Sequence, residues 1–144
     1  MKDRRSGFTL LEILVVVLII TILATIVGIN VMHEPGRARV AATKSKIATF
    51  RTALQLYSMD NGRLPTQEQG LGALCIKPTT APVPQSYREG GYLETPNLPR
   101  DAWGREFVYM VPGPNGLPYV VLSYGADGEP GGVGEAADIS NADM

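Results

Sequence analysis

The sequence predicts an α+β domain: one long N-terminal helix laid across a small antiparallel sheet, with a loop-rich C-terminal region. Three observations carry that prediction. An uncharged run extends from Ile13 to Met32. Beyond it, Val40, Thr43, Ile47, Phe50, Leu54 and Tyr57 recur at three- and four-residue steps, the spacing of one buried helical face. Phe107–Val111 and Tyr119–Ser123 are short runs of β-branched and aromatic residues, joined by the turn-forming Pro112-Gly113-Pro114-Asn115-Gly116-Leu117-Pro118.

Phe8–Met32 is dominated by Leu, Ile and Val and contains no proline. A bilayer core about 30 Å thick needs roughly 20 apolar residues in a helix, so this segment has the length to cross one. Lys2, Arg4 and Arg5 precede it and are expected to hold the N-terminus on the cytoplasmic side. The run is too long for an ordinary signal peptide, and no small-residue cleavage site follows it closely. A plain anchor explains length and orientation but leaves Glu12 unexplained. A carboxylate in hydrocarbon costs about 2.5–3.5 kcal/mol even on the lenient insertion scales. A chain that keeps one there is expected to supply a partner for it.

Pro35-Gly36 follows the apolar run, and a bend or break is expected near His33–Arg37. The second helical stretch ends at Asp60-Asn61-Gly62, with Asn61 or Gly62 suited to a left-handed cap. Thr66–Leu74 reads as a short helix, with Thr66 as N-cap and Gln69 completing a capping box. Pro78, Pro82, Pro84, Pro96 and Pro99 mark the following stretch as loop. The two strands would be marginal alone, so they are expected to pack on the Val40–Tyr57 face.

The chain has 144 residues, and beyond the apolar run it can build one small domain but not two. Its net charge is −1 and its basic residues are scattered, which argues against nucleic-acid binding. Arg37, Arg39, Lys44, Lys46 and Arg51 read as a solvated helix face. Cys75 is the only cysteine, so no internal disulfide forms, and it is expected as a small buried hydrophobe. His33 is the only histidine, which excludes a catalytic triad or a zinc cluster, and no enzyme activity is expected. Trp103 reads as a packing anchor, and Asp60 and Glu68 as cap and turn residues.

Asp127-Gly128-Glu129-Pro130-Gly131-Gly132-Val133-Gly134-Glu135-Ala136-Ala137-Asp138 is a glycine-rich acidic loop bracketed by two aspartates. Calcium takes 6–8 oxygen ligands from carboxylates and backbone carbonyls. The fit to an EF-hand is poor, because position 5 is Gly131 and a strand precedes the loop. On these residues alone, a solvated acidic turn is the stronger reading.

Gly7-Phe8-Thr9-Leu10-Leu11-Glu12, with its basic leader and apolar run, resembles the class III signal of type IV pilins and type II secretion pseudopilins. The resemblance extends along the chain. Asp60-Asn61-Gly62-Arg63-Leu64-Pro65-Thr66-Gln67-Glu68-Gln69-Gly70-Leu71 is similar to the DNGRYPTTEQGL stretch of major pseudopilins, the G subunits of type II secretion systems. Gly90-Gly91-Tyr92-Leu93, Asp101-Ala102-Trp103-Gly104 and Leu122-Ser123-Tyr124-Gly125-Ala126-Asp127-Gly128 continue it in order.

That resemblance implies a pilin-like fold with three parts: a leader over 1–7, a transmembrane and fibre-core helix over 8–32, and a periplasmic domain over 33–144. It implies cleavage after Gly7 by the prepilin peptidase and N-methylation of Phe8. Glu12 is then expected to pair with the N-terminal amine of a neighbouring subunit. The implied function is that of a structural subunit, polymerising with copies of itself into a periplasmic pseudopilus that exports folded proteins across the outer membrane. Minor pseudopilins, the inner-membrane assembly platform and the membrane itself are the further expected partners. It also implies a structural calcium ion (Ca2+) in the C-terminal loop, held by Asp127, Asp138 and the backbone carbonyls of Tyr124 and Val133. Ala137 stands where some relatives carry another aspartate, and Glu129 or Glu135 are possible substitutes. Ala102 replaces the proline of the family's DPWG turn and is expected to loosen it slightly. Ile29 stands where many members have a helix proline. The alternatives are a type IV pilus pilin, which shares the signal, and a monomeric membrane-anchored calcium-binding domain with an uncut N-terminus.

Overall fold

The computed structural model describes residues 9–31 and 34–144. They fall into two units, one ending at Gly36 and the other running from Arg37 to Met144. In the first, helix α1 spans Leu10–Val31. Thr9 caps it, its Oγ1 accepting from the Glu12 N–H at 3.2 Å. Thr21 and Thr25 turn their hydroxyls back to the carbonyls of Val17 and Thr21, at 2.7 and 2.8 Å. The only hydroxyls on the described side chains beyond the cap are thus satisfied within the helix, as an apolar surrounding requires. Side chains of α1 are described for Leu10–Thr25, sixteen residues and all exposed. Among the described residues, no helix is long and apolar enough to cross a membrane.

Helix α2 spans Glu34–Asn61. Of the stretch where a bend or break is expected, Glu34–Arg37 are helical, and Met32 and His33 lie outside the described residues. Pro35 is the second residue of α2, where a missing N–H costs nothing because the first turn has no carbonyl to receive it. The α2 C-terminus closes as expected, with the Gly62 N–H donating to the Ser58 carbonyl at 2.8 Å.

In the second unit, Thr43, Ile47, Phe50, Leu54 and Tyr57 are buried along α2, and Val40 is half-buried. The face they form meets Tyr109, Val121 and Ile139 of the sheet in one core. Phe50 and Phe107 pack edge-on with centroids 5.0 Å apart. The sheet is antiparallel with order β1-β2-β3: Val108–Met110, Val120–Ser123 and Ile139–Ser140. Tyr109 stands opposite Val121, and Ser123 opposite Ile139. The first two strands are shorter than the sequence pattern suggests. The third was not expected at all, because two residues give no alternation to detect.

The helix predicted over Thr66–Leu74 is corrected. Its capping box forms reciprocally, Gln69 N to Thr66 Oγ1 at 3.2 Å and Thr66 N to Gln69 Oε1 at 3.1 Å. Gly70, however, takes φ 58 and ψ −167, which no helix tolerates, so one turn is followed by a separate 3-10 turn at Leu71–Leu74. Gln67, exposed in that turn, accepts from the Val111 N–H at 3.0 Å and donates to the Tyr109 carbonyl at 2.6 Å. Its amide thereby occupies the open edge of β1 as a strand would.

Asp60 is more than a cap residue. Arg88 grips it with two bonds, Nε–Oδ2 at 2.6 Å and Nη2–Oδ1 at 3.3 Å, and lies over the Tyr92 ring. Hydrogen bonding from Arg88 holds the Asp60 carboxyl below its ordinary value, against a smaller opposing effect of burial. A folded-state value below the unfolded one means the pair stabilises above the unfolded value and loses its contribution as pH falls through the folded value. Acid titration of Tm is therefore expected to be flatter in Arg88→Met than in the parent chain. Cys75 is half-buried against the core rather than fully enclosed, and burial pushes its thiol up. Trp103 packs on the core as an anchor. The basic face of α2 is exposed except at Lys46, whose Nζ reaches the Arg100 carbonyl at 2.6 Å.

Candidate functional site

Of the residues expected at the processing site, Gly7 and Phe8 lie outside the described residues. Glu12 is exposed in the first turn of α1, three residues after its cap. An acid there is favoured by the exposed amides and partial positive charge of a helix N-terminus. The Thr9-x-x-Glu12 spacing is the sequence signal of this local role. Among the described residues, no cation pairs with Glu12.

At the other end of the chain, Asp101 holds the end of β2, where that strand passes into the acidic loop. This carboxylate is 4% exposed and makes three bonds. Oδ1 accepts from the Trp103 and Arg105 amides at 2.9 and 2.8 Å, and Oδ2 accepts from Ser123 Oγ at 2.7 Å. The turn it organises docks on α2 because the Ala102 N–H donates to Thr43 Oγ1 at 3.2 Å. This tether uses the Ala102 N–H, a donor that the proline of the family's turn lacks.

The loop is closed by its own backbone. The Ala126 N–H donates to the Glu135 carbonyl at 2.8 Å, and the Asp138 N–H to the Gly131 carbonyl at 3.1 Å. Asp127 Oδ1 accepts from the Glu129 amide at 3.1 Å, and Asp138 Oδ2 from the Gly131 amide at 3.0 Å. Each aspartate thus spends one oxygen on the loop and is exposed to solvent. The Tyr124 carbonyl accepts from Gly128 and the Val133 carbonyl from Ala136, both at 3.2 Å, which leaves each a lone pair. This donor set is all oxygen and fits a hard divalent cation in kind. Among the described residues, no three His, Cys, Asp or Glu side chains gather as a metal-holding group. Neither Glu129 nor Glu135 therefore makes a third carboxylate with the two aspartates, and a cation here would draw on carbonyls and water. Arg105 has no counterpart in the sequence reading. Its Nη1 donates to the carbonyls of Gly125 and Ala126, at 2.6 and 2.8 Å.

Comparison with known families shows what carries this arrangement. The family model for type II secretion system protein G matches residues 30–142. The chain belongs to the type II secretion system protein G family. The prokaryotic N-terminal methylation motif matches residues 2–28, ahead of it. A type II secretion system core protein G of Pseudomonas aeruginosa is 45% identical over 142 residues, 99% of this chain and 98% of that protein. The Aeromonas hydrophila core protein G is 47% identical over 130 residues, 90% of this chain and 89% of that protein. The crystal structure of the major pseudopilin from the type 2 secretion system of enterohaemorrhagic Escherichia coli aligns with a TM-score of 0.66 at 36% identity, covering 80% of this chain and 96% of that one. The protein G fold, a long N-terminal helix on a three-stranded antiparallel sheet, is thus shared.

Proposed function

We propose that this chain is the structural subunit of a type II secretion pseudopilus, polymerising with itself to move folded proteins across the outer membrane. The observation that carries this reading is the protein G match over residues 30–142 directly behind a methylation motif at 2–28. The family is structural, and no catalytic role is assigned to any residue of this chain.

The parts divide as the physics suggests. The apolar sequence of Phe8–Met32, of which α1 is the described part, has the length that a hydrocarbon core of about 30 Å asks of a helix, roughly 20 residues. In the precursor this segment serves as a single inner-membrane span, with the folded domain in the periplasm. Its side chains, exposed over Leu10–Thr25 and apolar but for Glu12, Thr21 and Thr25, then serve as the packing surface between subunits in the fibre. Cleavage after Gly7 by the prepilin peptidase would leave Phe8 as a charged, methylated N-terminus four residues before Glu12. A buried carboxylate is tolerable when compensated and costly when alone, so Glu12 sets the register against a neighbour's amine. Minor pseudopilins and the inner-membrane assembly platform complete the partner set.

Mass spectrometry of the native protein is expected to show a chain beginning at methylated Phe8. Glu12→Ala is expected to be cut normally yet to form few or no fibres by electron microscopy. An uncut chain that stays monomeric would favour the membrane-tethered domain instead, and normal fibres from Glu12→Ala would reject the register role.

The acidic loop is the proposed calcium site, with Asp127, Asp138 and the Tyr124 and Val133 carbonyls as ligands. The ion would supply charge neutralisation and join the two ends of the loop. Binding only to the folded chain at a hundredfold excess over Kd stabilises by about 2.7 kcal/mol, on the order of 10 °C in Tm for a domain of this size. Chelation is expected to lower Tm by about that amount, and Asp127→Ala to abolish the difference. A Tm indifferent to calcium would remove the metal from this reading.

A further inference from the structure

We propose that Arg105 is a positioning residue for the C-terminal loop, ordering its base so that a cation need order only its tip. The inference rests on the calcium reading above. The guanidinium spans the point where β2 passes into the loop, with Nη1 bonded to the Gly125 and Ala126 carbonyls at 2.6 and 2.8 Å. It also lies against the next turn, where a Cβ built on Gly128 would stand 2.6 Å from Arg105 Nε. Its own backbone is fixed on both sides by Asp101, through Arg105 N to Asp101 Oδ1 at 2.8 Å and Asp101 N to the Arg105 carbonyl at 2.9 Å. Asp101 in turn holds Ser123, whose Oγ accepts from the Gly125 N–H at 3.3 Å. One buried carboxylate therefore anchors both the arginine and the strand end that it clamps.

Two consequences follow for the loop. The Gly125 and Ala126 carbonyls face a permanent cation whose charge repels a metal, so a metal draws better on other carbonyls, those of Tyr124 and Val133 among them. Ordering is also divided in space. Gly125–Gly128 are held by Arg105 whether or not a metal is present, whereas Glu129–Asp138 have only the loop's own neutral backbone bonds and those to Asp127 and Asp138.

Amide hydrogen exchange on the full chain in detergent micelles, in EDTA and in calcium, tests the division. In the parent chain, the Gly125 and Gly128 amides, whose acceptors Ser123 Oγ and the Tyr124 carbonyl lie in the base, are expected to be protected in both conditions, and the Ala126, Gly131 and Asp138 amides only in calcium. In Arg105→Met, protection of Gly125 and Gly128 in EDTA is expected to fall about tenfold, the loss of two charge-assisted bonds facing solvent, and to return with calcium. Arg105→Lys, which keeps a cationic donor, is expected to restore part of it. Phe50 and Leu54 amides in α2 are the internal control. Unchanged base protection in Arg105→Met, base amides that need calcium in the parent, or an equal loss at Phe50 and Leu54 would each overturn the assignment to Arg105. A base that loosens in Arg105→Met while calcium alters no loop amide in either chain would instead overturn the calcium reading, and the division of labour with it.

Discussion

Asp101→Ala is expected to destabilise the domain by about 3–5 kcal/mol, measured by denaturant unfolding of the full chain. The carboxylate is 4% exposed and is the acceptor for the Trp103 and Arg105 amides and the Ser123 hydroxyl. Alanine leaves all three donors near the core without a partner. Each orphaned donor costs about 1–3 kcal/mol, and the sum is reduced where relaxation admits water. The truncation also frees the turn that meets Thr43 on α2, so the helix loses a contact 59 residues away in sequence. Asp101→Asn is the informative contrast. Its carbonyl oxygen can still receive both amides, and its NH2 can donate to Ser123 Oγ. A loss of about 1–2 kcal/mol is expected. Equal losses for the two variants would mean that charge, and not acceptor geometry, is what the turn requires.

Gly125→Ala is expected to cost about 2–4 kcal/mol and to loosen the acidic loop more than the core. Gly125 sits at φ 62, a conformation that costs other residues roughly 1–2 kcal/mol. A methyl group there would also stand 2.7 Å from the carbonyl oxygens of Ala137 and Glu135. Those oxygens belong to backbone on the far side of the loop, so relief requires the loop to part. The Ala126 to Glu135 bond, one residue away, is the first to strain. Hydrogen exchange at Ala126 rising well beyond that at Leu54 is the expected signature. A uniform rise across the domain would show that the loop and core unfold together.

The helical half of the molecule was legible because its physics is periodic. Thr43, Ile47, Phe50, Leu54 and Tyr57 repeat with the helical turn, and all five are buried. The capping box at Thr66 was equally visible, yet the helix it announced stops at Gly70, whose backbone angle no propensity scale foretells. The loop half was less legible because its order comes from single side chains reaching across long sequence gaps. Gln67 pairs with β1 over 44 positions, and Asp101 with Ser123 over 22. Neither spacing has a local pattern. The same holds at Ala102, where only the neighbouring Thr43 shows why an N–H matters. Asp127 and Asp138 were named as ligands through family resemblance, and both are exposed in the loop joining β2 to β3.

The last strand has a bearing on how this polypeptide is handled. Ile139–Ser140 pairs with β2, Asn141 Oδ1 accepts from the Val121 amide at 2.7 Å, and Ser140 Oγ donates to Asp143 at 2.6 Å. The final six residues therefore work as a latch on the central strand, and trimming them would turn β2 into a bare template for unwanted pairing. Affinity tags and fluorescent fusions belong beyond Met144 on a spacer, with the latch left intact.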